Sequence, residues 1–180
     1  MIDDGMRRGL LAQFSADIPI TALVSGAPFY HDAAAHRRLD VVPLEDVATR
    51  PPAHLSPHVI IDGLDALPDP AAALRNVRSA ASPVRVFALV ANAVYASTLG
   101  AFVAGERMAR SRPLVATDLD ALFADTGWHE VERIPLVDRA LAAAAIPSTI
   151  AVGSVTFTLT SPEVAARLTT AGYFVIADPP

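Results

Sequence analysis

Short apolar runs rich in β-branched residues alternate along the chain with Ala/Leu/Arg stretches whose apolar positions recur at helical spacing. That is the pattern of βα units feeding a mostly parallel sheet. Residues 4–15 suit a short helix. Ile18–Val24 reads as a strand leaving through Ser25-Gly26-Ala27-Pro28, residues 30–37 as a short Ala-rich helix, and Leu39–Leu44 as a second strand followed by Glu45-Asp46. Pro51, Pro52 and Pro57 deny helical hydrogen bonds to residues 50–58, which predicts a loop. A third strand, His58–Ile61, then ends at Asp62-Gly63. Asp69-Pro70 starts a helix well, because Asp caps free N–H groups and Pro fits the first helical position. In that helix Ala73, Leu74 and Val77 share one face and Arg75 and Arg78 point outward. Val84–Val90 is apolar on both faces and is expected to be a central strand.

The second half continues in the same style. Ser97–Met108 is expected to be helical in part, and residues 118–125 form a helix capped near Thr117 and stopped by Gly127. Trp128–Leu136 and Val152–Thr160 alternate like strands and are expected to form an antiparallel pair at one edge. The tail repeats the phrase: a cap at Ser161, Pro162 in the first turn, a helix, Gly172 as its stop, and a strand over 173–177. Residues 1–180 read as one domain, with an N-terminal helix over 1–17, an α/β core over 18–92 and a C-terminal half over 93–180. The fold class is therefore α/β, a Rossmann-like, mostly parallel sheet flanked by helices with an antiparallel edge pair near the C-terminus.

Composition narrows the partners. Apolar residues make up 52% and charged residues 18%, rich for one domain, so a sticky face and sheet edge are expected, covered by a homo-oligomer, a dimer first, or by the strand over 173–177 folding back. Apolar stretches are broken before the roughly 18 residues of a membrane span, and MIDDGMRRGLL lacks the order of a secretion signal. Together these predict a cytoplasmic protein with no membrane partner. A net charge of -5 argues against a nucleic-acid partner. With no cysteine there are no disulfides or thiolate metal sites, and with no lysine there is no Schiff-base chemistry. His54 and His58 flank Pro57, which breaks the helix an i,i+4 metal pair needs, so no metal site is expected. The chain has neither a Gly-x-Ser-x-Gly elbow nor a phosphate-binding loop of the Gly-Lys type.

The run Ile60-Ile61-Asp62, Leu64-Asp65-Ala66-Leu67, Pro68-Asp69-Pro70, then a helix and a strand ending at Ala91-Asn92, resembles the fourth-to-fifth-strand stretch of class I S-adenosylmethionine-dependent methyltransferases. GERMARSRPLVATDLDALFADTGWHEVERIPL looks like the family's following helix and strand. Counted back from there, Leu39–Asp46 matches the third strand and Ile20–Val24 the second, which leaves the first strand and its Gly-x-Gly loop missing. The resemblance covers residues 18–160 and implies a methyltransferase of unknown acceptor taking a small-molecule substrate, with S-adenosylmethionine as cofactor. It implies cofactor contacts at Ser25, Gly26, Glu45, Asp46, Asp62 and Gly63, with Glu45-Asp46 beside the adenine amine. It names no catalytic residue. Ser25-Gly26 stands where the family has a ribose-holding acid, and Ala66 where it has His, so a weakened cofactor site is part of the expectation. The alternative is a non-catalytic binding or oligomerisation module of the same fold. Asp62 also resembles a receiver-domain phosphoacceptor, but the acidic pair and the Lys of that family are absent.

Overall fold

The computed structural model describes residues 2–80, 84–105 and 114–180. In chain order the elements are α1 (Asp4–Leu11), β1 (Ile20–Val24), α2 (Pro28–Ala34), β2 (Leu39–Pro43), α3 (Leu44–Thr49), β3 (His58–Asp62), a 3₁₀ turn (Leu64–Ala66), α4 (Pro70–Arg78) and β4 (Arg85–Ala91). There follow α5 (Ala96–Val103), α6 (Ala116–Asp125), β5 (His129–Val137), α7 (Arg139–Ala142), β6 (Ser148–Val152), β7 (Val155–Leu159), α8 (Pro162–Thr169) and β8 (Thr170–Asp178). Met108, at the expected end of the fifth helix, lies outside the described residues.

Six strands form one sheet in the order β2-β1-β3-β4-β8-β5. β2, β1, β3 and β4 are parallel neighbours, while β8 runs antiparallel between β4 and β5. Of the parallel strands, β1, β3 and β4 are the near-continuous apolar runs that burial on both faces demands, with all five residues of β1 buried, whereas the edge strand β2 buries only Leu39. One face carries α3, α4 and α6, which pack Leu44, Leu74, Leu119 and Phe123 onto Val86, Ala88 and Val90. Trp128 joins this core and donates its indole N–H to the Leu74 carbonyl at 3.1 Å. The other face carries α1 and α2, with Leu10, Leu11 and Tyr30 against Ile20, Ile60 and Leu89. The Asp69 carboxylate accepts from the Ala72 N–H at 2.9 Å, the cap expected there.

Three expectations are corrected. Trp128–Leu136 and Val152–Thr160 do not pair with each other: β5 pairs with β8, and β7 with β6 in a separate two-stranded hairpin. The antiparallel edge pair of the main sheet is therefore β8–β5. Gly127 takes the left-handed φ of a helix stop, but Gly172 does not; it lies within β8, beside Ala91 and Leu136. The second strand stops at Pro43, not Leu44: Leu44 begins α3, a helix the sequence reading did not place, and Glu45-Asp46 lie in its first turn.

Candidate cofactor site at the carboxyl edge

From β1 the chain moves to β2 on one side and then crosses to β3 on the other. A doubly wound sheet opens a crevice at such a switch point, outside the carboxyl ends of the two diverging strands. Here those ends are Val24-Ser25-Gly26 and Asp62-Gly63.

The two exits are stitched together. The Ser25 N–H donates to the Asp62 carbonyl at 3.0 Å. Gly63 has φ +107°, and a Cβ there would stand 2.8 Å from Ser25 Cβ, so side-chain-free backbone is what lets the exits touch. The Ser25 hydroxyl donates to Glu45 Oε1, bringing the first turn of α3 to the same crevice. Ser25, Gly26, Glu45, Asp62 and Gly63 are thus gathered at one edge; Asp46 is the exposed neighbour of Glu45, with no side-chain bond to the crevice among the described residues.

Two residues escaped the sequence reading. Arg7 of α1 reaches over the crevice and donates from Nε to Asp62 Oδ2 at 2.7 Å, and from a terminal nitrogen to Asp4 Oδ1 at 2.9 Å. Burial works against the Arg7 cation, but the hydrogen bond and charge of Asp62 outweigh it and raise the pKa. Asp62 itself is only 5% exposed, so it is compensated by a cation rather than by water. Tyr30 of α2 is fully buried beside this pair, and its hydroxyl has no hydrogen-bond partner among the described residues. Burial, then the Asp62 charge, push its pKa upward. The Asp4/Arg7 spacing, i and i+3 on a helix, was the available signal for Arg7; nothing local marked Tyr30.

Further along the same edge, Asn92 at the exit of β4 is buried and spent on the backbone. Its amide donates to the carbonyls of Arg167 and Thr170 at 3.1 and 2.9 Å, and its oxygen accepts from the Val94 N–H at 3.2 Å. The Tyr95 hydroxyl donates to Asp138 Oδ2 at 2.6 Å, chiefly by which the Asp138 pKa is lowered. These bonds seat a small cap on the edge, in which Ala96 of α5 packs with Ile150, Leu159 and Leu168.

No family profile matches the chain, and no curated protein sequence does. Solved structures do. An S-adenosylmethionine-dependent methyltransferase from Archaeoglobus fulgidus superposes with a TM-score of 0.62 at 13% identity, over 98% of this chain and 94% of that one. One from Mesorhizobium loti gives 0.56 at 13%, over 98% and 97%. The magnesium protoporphyrin IX methyltransferase of Synechocystis, with S-adenosylhomocysteine bound, gives 0.50 at 11%, over 98% and 81%. The fold is that of the S-adenosylmethionine-dependent methyltransferases.

The methyltransferase fold corrects the strand count that the resemblance suggested. In the doubly wound order 3-2-1-4-5, strands 1 and 4 flank the switch point. β1 and β3 flank it here, so Ile20–Val24 takes the first strand's place and not the second's, and the position left empty is the outermost, beyond β2. Ser25-Gly26 accordingly occupies the turn where the methyltransferase fold carries its glycine-rich loop.

Proposed function

We propose that this chain is a cytoplasmic methyltransferase that binds S-adenosylmethionine in the crevice between the exits of β1 and β3 and modifies a small-molecule acceptor. The observation that carries this reading is the placement of Glu45, twenty residues after Ser25 and hydrogen-bonded to it. A dinucleotide-binding sheet puts its ribose-holding acid about 20 residues after the first βα turn.

The crevice matches the ligand's chemistry group by group. Glu45 accepts from ribose hydroxyls, with Asp46 next to it on the side of the adenine amine. Arg7 supplies a cation for the amino-acid carboxylate and Asp62 an anion for its ammonium, so the pair now closed at 2.7 Å opens to receive a zwitterion of matching polarity. The Tyr30 hydroxyl, buried against that pair and without a hydrogen-bond partner among the described residues, has a hydrogen bond left to give. Gly26 and Gly63 keep the floor free of side chains. Bound there, S-adenosylmethionine supplies an electrophilic methyl group; this chain's residues hold and orient it, and no side chain is assigned to activating the acceptor.

Calorimetric titration with S-adenosylhomocysteine tests the reading. A dissociation constant of roughly 10 μM corresponds to about 7 kcal/mol. Glu45→Gln, which removes a charge-assisted contact worth about 1.5–3 kcal/mol, is expected to weaken binding some ten- to a hundredfold. Silence up to millimolar ligand, with the fold intact by circular dichroism, sinks it. The closed Arg7–Asp62 pair, fully satisfied without a ligand, would then favour the second reading, a non-catalytic module of methyltransferase fold.

A further inference from the structure

α1 separates the crevice from a second concavity. Arg7 leaves the helix for Asp62, while Met6 and Gly9 of α1, with Gln13 in the turn after it, form one wall of a groove on the sheet face. The edge strand β5 forms the opposite wall, and β4 and β8 the floor. Its volume is about 540 Å³, inside the roughly 300–1,000 Å³ range of small-molecule sites.

Three observations give the occupant its chemistry. The floor and one wall are aromatic: Phe87 stacks on Phe174 at 6.2 Å with 14° between the planes, and Phe14 meets Phe87 edge-on at 4.8 Å. Such an array favours a flat apolar body. Gly9 sits inside α1, where glycine costs about 1 kcal/mol relative to Ala, yet a Cβ there would meet nothing within 4 Å. Packing does not demand this glycine; its effect is to leave the groove wall open. Among the described residues, Glu132 of β5 is the only charged side chain of the lining, and it has no ion-pair partner. The neighbouring arginine, Arg133, is taken by Asp120 and Glu130. An apolar slot with one unmatched carboxylate at its side calls for a cation.

We propose that this groove is a second ligand site, separate from the carboxyl-edge crevice, for a small amphipathic amine. The flat apolar body lies against Phe14, Phe87 and Phe174, and the ammonium pairs with Glu132. The proposal stands whether or not the crevice binds S-adenosylmethionine.

The test uses the full chain and two matched probes, 1-naphthylmethylamine and 1-naphthoate, followed by calorimetry. The amine is expected to bind at least about tenfold tighter than the carboxylate, a difference of about 1.4 kcal/mol. Glu132→Gln, an exposed edge position, should bring the two within about threefold. Gly9→Leu, a change that favours the helix, should abolish amine binding and leave S-adenosylhomocysteine titration as it was. Equal binding of both probes, or undiminished amine binding in Gly9→Leu, overturns the proposal. So does a wild-type dimer that Gly9→Leu dissociates in sedimentation, which would assign the groove to a second copy of the chain.

Discussion

A methyl group on Gly172 would meet the Val90 carbonyl oxygen at 2.6 Å and Ile2 Cδ1 at 2.8 Å. Gly172→Ala must therefore push β8 off β4 or displace Ile2, and overpacking of this kind costs about 1–3 kcal/mol; urea denaturation should read that loss. The sequence reading placed a helix stop here because the local phrase matches that around Gly127. The demand for glycine comes instead from a strand some eighty positions away, which no local pattern carries. Tyr95 gives a second check at this scale. Its bond lowers the Asp138 pKa below its unfolded value, near 3.9. A carboxylate so shifted stabilises the fold above the unfolded value, and that stabilisation is lost as pH falls through the folded one. Tyr95→Phe is expected to cost about 1–2 kcal/mol at pH 7, and the gap between the two urea midpoints should narrow below about pH 4. The site acids were legible singly: Glu45 and Asp62 each end an apolar run. That they face one crevice, and that Arg7 and Tyr30 join them, depends on tertiary packing.

At the scale of elements, α1 does two jobs, burying Leu10 and Leu11 in the core and holding Arg7 over Asp62. Removing the cation strands a carboxylate that is only 5% exposed. Arg7→Met is expected to destabilise by about 2–4 kcal/mol, and Asp62→Asn in the same chain should recover part of that loss, since a neutral amide needs no cation. Additive losses in the double variant would mean that the two side chains act independently. Helix starts with a side-chain cap were readable, as at Asp69 and Ser161. So were β1, β3 and β4, because burial on both faces writes itself into composition. The hairpin was not. Its strands β6 and β7 flank a left-handed Gly153, and their alternating sequence fits equally well beside any antiparallel neighbour. Pairing choice is a long-range property, and alternation constrains only which face points inward.

For the whole molecule, the methyltransferase fold was legible from the run between β3 and β4, while the missing strand was misplaced because strand number follows topology and not sequence order. With β1 in the first strand's place the sheet runs unbroken from β2 to β5, and β8 covers the flank of β4. The expected homo-oligomer must then come from elsewhere on the surface. Phe102 and Val103 at the end of α5 are 62% and 66% exposed, adjacent large apolar side chains on the cap over the carboxyl edge. Burying such residues is worth about 1.5–3 kcal/mol each, and a two-fold interface counts each of them twice. We expect a homodimer through this end of α5, seen by sedimentation velocity at tens of micromolar. Phe102→Ser with Val103→Thr should yield a folded monomer whose thermal midpoint no longer depends on protein concentration, because neither side chain belongs to a buried cluster among the described residues. A wild-type chain that stays monomeric across that range rules out the dimer, and a variant that remains dimeric moves the interface away from the cap.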